Sequence, residues 1–180
     1  MIIKKYKLFM ESKNRTYDYG CVMVYLDISN WERIISNIDE NDLYKPEDEH
    51  YGRETEPHLT LLYGLHKEVT KEEISTIFKD TKSTDFKIQI DGISIFENDE
   101  FDVVKMDIKL NDKLTHYNSE LSKLPNSNSY KDYKPHITMA YVKKGLGKKY
   151  IDPDYKYTFK DVSKIVFSQA NGEKININLK

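Results

Sequence analysis

Residues 57–65 read PHLTLLYGL and residues 135–143 read PHITMAYVK. The two segments share the order Pro-His-apolar-Thr-apolar-apolar-Tyr, and their histidines, His58 and His136, lie 78 positions apart in a chain of 180 residues. A strand written twice at that separation calls for two similar halves, each supplying one copy. In a regular strand, side chains alternate between faces. That alternation predicts His58 with Thr60 on one face and Leu59, Leu61 and Tyr63 on the other. It sorts His136 and Thr138 from Ile137, Met139 and Tyr141 in the same way. Each strand is thus expected to pair an imidazole with a hydroxyl and to turn its larger apolar residues to a core.

The rest of the chain supplies the elements around them. YGCVMVYLDI (19–28) reads as a buried strand, followed by an amphipathic helix through Trp31, Ile34, Ile35 and Ile38, with Ser29 or Asn30 as N-cap. The charged, Pro- and Gly-punctuated stretch 41–56 is a loop that delivers the chain to Pro57, and its length makes it a candidate lid or substrate rim. Thr70 and Glu73 form a capping box for a second helix over 70–80. Alternating segments 86–97 and 101–110 predict an antiparallel hairpin, and 112–124 a third helix. A loop over 125–135 leads to the second motif, and 157–179 is expected to form two strands joined at Asn171-Gly172. Strands mixed with a few helices in this order give an α+β fold, read as one domain over 1–180.

The 28 basic and 30 acidic residues nearly cancel, so no global basic field favours long duplex DNA. The one cysteine, Cys21, excludes an internal disulfide and disfavours a cysteine-rich metal site, which suits a reduced, cytoplasmic setting. No apolar run is long enough for a membrane-spanning helix, and the N-terminus lacks a signal-peptide pattern. Oligomeric state is open. The absence of a G-x-x-x-x-G-K-S/T loop disfavours triphosphate hydrolysis. KKGLGKK (143–149) is a basic patch or a solvated turn. His50, His66 and His116 lack the repeat and read as surface residues.

Two facing histidines suit a reaction that needs a base and an acid in one step. Imidazole can hold or lack a proton near neutral pH, so one ring can accept a proton from an attacking hydroxyl while the other gives one to the departing oxygen. The threonine hydroxyls can donate hydrogen bonds to non-bridging phosphate oxygens. One His-x-Thr strand alone is ordinary, and the weight comes from two matched copies. A shared zinc site is the alternative, but two histidines without a third ligand fall short of the usual set. No metal or cofactor is called for.

The paired H-h-T-h-h-Y strands, with h apolar, resemble the signature of the 2H phosphoesterase superfamily, and the resemblance covers most of the chain. It implies a bilobal fold with two antiparallel sheets facing a central groove and helices outside. It further implies metal-independent phosphodiesterase chemistry involving ribose 2′ positions, with His58 and His136 as acid and base and Thr60 and Thr138 on the phosphate. The context YGRETEPHLTLLYGL and the chain's size are similar to the bacteriophage anti-CBASS phosphodiesterases, which degrade cyclic di- and trinucleotide signals. In that case the protein would work in the host cytoplasm on 3′-5′ linkages. Tyr17, Tyr19 and Glu173 are then candidates for base contacts and Arg53 for phosphate, with a structural role as the alternative for each. RNA ends bearing 2′,3′-cyclic phosphate, 2′-5′ linkages, or nucleotide binding without turnover are the other readings.

Overall fold

Apolar runs become strands and capped amphipathic runs become helices, in the order β1 (Gly20–Leu26), α1 (Trp31–Ile35), β2 (His58–Leu65), α2 (Lys71–Phe78), β3 (Ile88–Glu97), β4 (Phe101–Ile108), α3 (Asp112–Leu121), β5 (His136–Lys143), β6 (Asp152–Phe159), β7 (Val162–Ser168) and β8 (Lys174–Ile177). The structure, a computed structural model, describes residues 17–46, 51–159 and 162–180. His50 lies outside the described residues. Thr70 caps α2 through the expected reciprocal box with Glu73, and the Asn111 side chain caps α3 at Leu114. The first helix is shorter than its apolar spacing predicts. Neither expected cap bonds its first turn through a side chain, and the helix stops at Ile35, leaving Ile38 buried on a following turn.

The eight strands among the described residues join in the order β6-β3-β4-β5-β2-β1-β7-β8, every neighbouring pair antiparallel. Each motif strand sits in the middle of this order, and the β2–β5 seam holds the single register pair Leu59–Ile137. The expectation of two separate sheets is therefore corrected to two four-stranded halves continuous through one contact. One strand escaped the sequence reading. β6 carries DPDYKYTF, with a proline, charges and exposed side chains, because it is the outer strand beside β3 and has no buried face to impose alternation. Trp31, Ile74, Phe78, Leu114, Tyr117 and Leu121 from the helices share one apolar cluster with Leu59, Leu61, Ile137 and Met139 from both motif strands. The helices thus cover the sheet face opposite His58, Thr60, His136 and Thr138. None of the described helices is long and apolar enough to cross a membrane.

Beyond the seam, the two motif strands part, and loops fill the gap. The loop before the first motif runs along β5: Leu43 bridges Val142, Arg53 bridges Ala140, and Tyr141 N donates to Gly52 O at 2.8 Å. The loop before the second motif runs along β2: Leu65 bridges Asn126 and Ser127 N donates to Gly64 O at 2.9 Å. Each loop that leads into one motif strand is hydrogen-bonded to the other. The described part of 41–56 is therefore a strap bound to β5, which fits the rim of the two readings, lid or rim, better than a free lid. Gly64 shows how tightly the loop before the second motif packs on β2. It adopts φ +101°, and a Cβ there would lie 3.0 Å from Asn128 N and 3.2 Å from the Ser127 carbonyl carbon. Gly64→Ala is expected to cost about 1–3 kcal/mol in urea unfolding; an unchanged midpoint would show that the loop before the second motif yields freely.

Candidate active site

The two motif strands depart from simple alternation at the same place. Val22 pairs with Leu62 but Met23 pairs with Thr60, so Leu61 is an extra residue in β2; Val104 pairs with Ala140 but Lys105 pairs with Thr138, so Met139 is an extra residue in β5. Both are β-bulges three residues after the histidine. A bulge reverses face parity, so Tyr63 and Tyr141 return to the histidine face. This corrects the sequence reading, which set them in the core. Both bulge carbonyls are satisfied, Leu61 O by Asn118 Nδ2 at 2.7 Å and Met139 O by the Glu54 amide at 2.9 Å.

Leu59 and Ile137 are fully buried across the seam, so their neighbours point to the opposite face. Continuing the antiparallel register by one residue each way puts His58 opposite Thr138 and Thr60 opposite His136. All four are half-buried. The expected catalytic set therefore gathers at the one point where the halves meet, each histidine facing the other strand's threonine.

The rings are held alike. His58 Nδ1 lies 2.8 Å from Glu56 O, and His136 Nδ1 lies 2.9 Å from Lys134 O, each the carbonyl two residues back. A carbonyl only accepts, so Nδ1 carries the hydrogen, and in the neutral ring Nε2 keeps its lone pair on the side away from that anchor. Tyr25 packs against His58 at 5.3 Å between ring centroids, and Phe96 stands edge-on to His136 at 5.0 Å. Burial pushes the His136 imidazolium down to about 4, with the positive charges of Lys105 and His58 acting in the same direction and Asp107 and the Lys134 carbonyl opposing. His136 is thus neutral at physiological pH. Burial also pushes the Tyr63 hydroxyl up to about 12 and Tyr141 well above its ordinary value, so both keep their protons.

A cavity of about 590 Å³ opens beside Thr60 and His136. Its aromatic walls are Tyr63, Phe96, Phe101, Tyr130, Tyr133 and Tyr141, with Asn118, Asn128, Lys131 and Lys134 among its polar groups. That volume lies within the usual range for a small-molecule site, and aromatic faces with a few polar groups suit nucleobases. Tyr133 also donates to Thr60 O at 3.1 Å, tying the cavity wall to the first motif.

The four residues expected to hold substrate do not line this cavity. Arg53 donates from Nε to Ile35 O at 3.0 Å and from a terminal nitrogen to Ile38 O at 2.5 Å, and also pairs with Glu40. It fastens the turn after α1. Tyr17 donates its amide to Ala170 O, and Glu173 lies in the β7–β8 turn with its carbonyl accepting from Gln169. Tyr19 approaches most closely, edge-on to Tyr63 at 6.3 Å. Sequence reasoning missed Tyr130, Tyr133, Phe96 and Lys105. Only Lys105 carried a visible signal, as a lone cation inside the apolar run VVKM. KKGLGKK forms a turn whose lysines are engaged: Lys143 donates to Asn41 O, Lys148 pairs with Glu97 at 3.0 Å, and Lys149 pairs with Asp42 at 2.5 Å. Among the described residues, no group of three or more His, Cys, Asp or Glu is placed to hold a metal ion.

The sequence profile of the 2'-5' RNA ligase superfamily matches residues 27–152, which span both motifs. The chain belongs to this superfamily. Its members, the two-histidine phosphoesterases, act on phosphodiester bonds, and the chain is a phosphodiesterase of that kind. Among solved structures, Kluyveromyces marxianus Usb1 is similar with a TM-score of 0.56 at 9% identity, covering 91% of this chain and 99% of that one. The same protein with uridine monophosphate gives 0.54 at 9% identity, over 90% and 99%. E. coli LigT complexed with NADP+ gives 0.51 at 19% identity, over 91% and 95%. At such identities the likeness speaks for the superfamily's fold. No curated protein sequence matches the chain.

Proposed function

We propose that this phosphodiesterase cleaves 3′-5′ linkages of cyclic di- and trinucleotides by two-histidine acid–base catalysis, as a phage enzyme that removes nucleotide immune signals. The observation that carries the chemistry is the seam, where His58, Thr138, His136 and Thr60 adjoin on one face. One neutral histidine takes the proton of a ribose 2′-hydroxyl. The 2′ oxygen attacks phosphorus, the bond from phosphorus to the 5′ oxygen breaks, and the other histidine protonates that leaving oxygen. The resulting 2′,3′-cyclic phosphate is opened by water with the two roles exchanged, leaving a linear product. Thr60 and Thr138 donate to the non-bridging oxygens, and the bases rest on the aromatic walls, which holds the 2′ oxygen in line. Imidazoles and hydroxyls carry every step, so the reading requires no metal.

The substrate class rests on the cavity, roomy enough for a base beside the scissile phosphate, and on the motif context shared with the anti-CBASS enzymes. A second reading keeps the chemistry and places an RNA end with a 2′,3′-cyclic phosphate there; nucleotide-bound Usb1 and LigT, similar in fold, favour it. In EDTA, a panel of cyclic dinucleotides, cyclic trinucleotides, 2′-5′-linked dinucleotides and RNA 2′,3′-cyclic ends separates the two. Ring opening of a cyclic oligonucleotide, with a transient 2′,3′-cyclic phosphate product, is the expected result. Turnover confined to RNA ends or 2′-5′ linkages would remove the immune-signal reading.

A further inference from the structure

The cavity draws its walls from Thr60 and His136 toward β3, β4 and the loop before β5, and neither His58 nor its neighbours on β1 and β7 are among them. On that side the groove face carries cations. Tyr25 pairs with His58 across β2 and β1 and with Lys164 across β1 and β7, so the three side chains follow one another over the histidine face of the sheet. Ile165, next to Lys164, is buried in the helix-covered core on the opposite face. The Lys164 ammonium lies 4.6 Å from the centre of the Tyr25 ring, which in turn packs 5.3 Å from the His58 ring. Lys174 from β8 donates to the Tyr25 hydroxyl at 3.4 Å. Glu56, whose carbonyl holds His58, is the carboxylate whose charge reaches that hydroxyl. Other lysines on the sheet meet carboxylates, as Lys105 meets Asp107 and Lys156 meets Asp91, but among the described residues none pairs with Lys164. An exposed ammonium held on an aromatic face keeps its donors for solvent or for an anion.

We propose that Lys164, held on the Tyr25 ring, binds a second phosphate of the substrate, one linkage away from the phosphate at the histidines. The preferred substrate class is then an oligonucleotide with at least two phosphates, not a mononucleoside 2′,3′-cyclic phosphate. The inference rests on the two-histidine reading above. With the aromatic cavity on one side of the seam and the cation on the other, a substrate is gripped by a base toward β3 and by a phosphate toward β7. The phosphate between those two grips is brought to His58 and His136. A cyclic dinucleotide and a linear RNA strand both carry such a second phosphate, so the class follows from charge and not from ring closure.

The test is equilibrium binding to the His136→Ala protein, which spares the ligand. The ligands are a cyclic dinucleotide, the linear 3′-5′ dinucleoside monophosphate of the same bases, and that dinucleoside with a further phosphate at its 5′ or its 3′ end. Lys164→Gln is expected to weaken the cyclic ligand and at least one linear two-phosphate ligand by about 10-fold, and to leave the one-phosphate dinucleoside within about two-fold. For the two-phosphate ligands, the slope of log Kd against log salt concentration should fall by about 0.7–1. Lys164→Arg keeps the charge and should bind like the parent. Lys164 is exposed, so neither change removes a core side chain. An equal loss on every ligand, no loss on any, or a loss confined to the ring-closed ligand would overturn the proposal. The measurement needs no turnover, so its failure is distinct from that of the two-histidine reading, which a fully active His136→Ala would end.

Discussion

His136→Ala is expected to lower kcat by about 10²- to 10⁴-fold in the presence of EDTA while the protein remains folded. The ring is anchored through Nδ1 to Lys134 O, meets the edge of Phe96 and lies half-buried on the groove face, so truncation opens no deep core cavity. The loss should fall on kcat more than on KM, because proton transfer is needed in the transition state and not for binding. Thr138→Val should cost less, about 10-fold, by removing one donor to the phosphate oxygens while keeping shape. Stopped-flow or product chromatography at pH 7 would read both. A His136→Ala protein as active as the parent would leave the motif without its proposed role.

Leu59→Ala is expected to destabilise the fold by about 2–5 kcal/mol, at the large end for one substitution. Leu59 is fully buried, and its partner Ile137 is the single register pair joining the two four-stranded halves. Truncating it leaves a void at the point where His58 and Thr138 are brought together. Activity should therefore fall more steeply than the folded fraction as urea rises. Denaturant unfolding followed by fluorescence, alongside turnover at low urea, checks both parts. A cost below about 1 kcal/mol would mean that the core around α3 carries the joint instead.

Much of this was legible in the chain because it depends on local chemistry. The capping box at Thr70, the hairpin β3–β4 and the two motif strands follow from residue type and spacing, and so does the convergence of two half-sites, since a duplicated strand needs duplicated surroundings. What was not legible depends on partners distant in sequence. The bulges at Leu61 and Met139 arise from register against β1 and β4, and only they bring Tyr63 and Tyr141 back to the site. The bonds of Arg53 could not be read from its neighbourhood, because the carbonyls it satisfies, at the end of α1 and on the turn after it, lie 18 and 15 residues earlier. The strand β6 gave no pattern because an outer strand rich in charge does not need one. The cavity walls at Phe96, Tyr130 and Tyr133 come from a hairpin and a loop that no single window of sequence joins.

The claim on which the rest depends is that His58 and His136 are two halves of one proton-transfer device. Single-turnover kinetics of His58→Ala, His136→Ala and the double variant, on the same substrate in EDTA, address it directly. If the pair works as a unit, either single change abolishes the concerted transfer, and the double variant is about as slow as the slower single. If the two losses instead multiply, or if one histidine can be removed without effect, the histidines act separately and the account of a shared site is wrong.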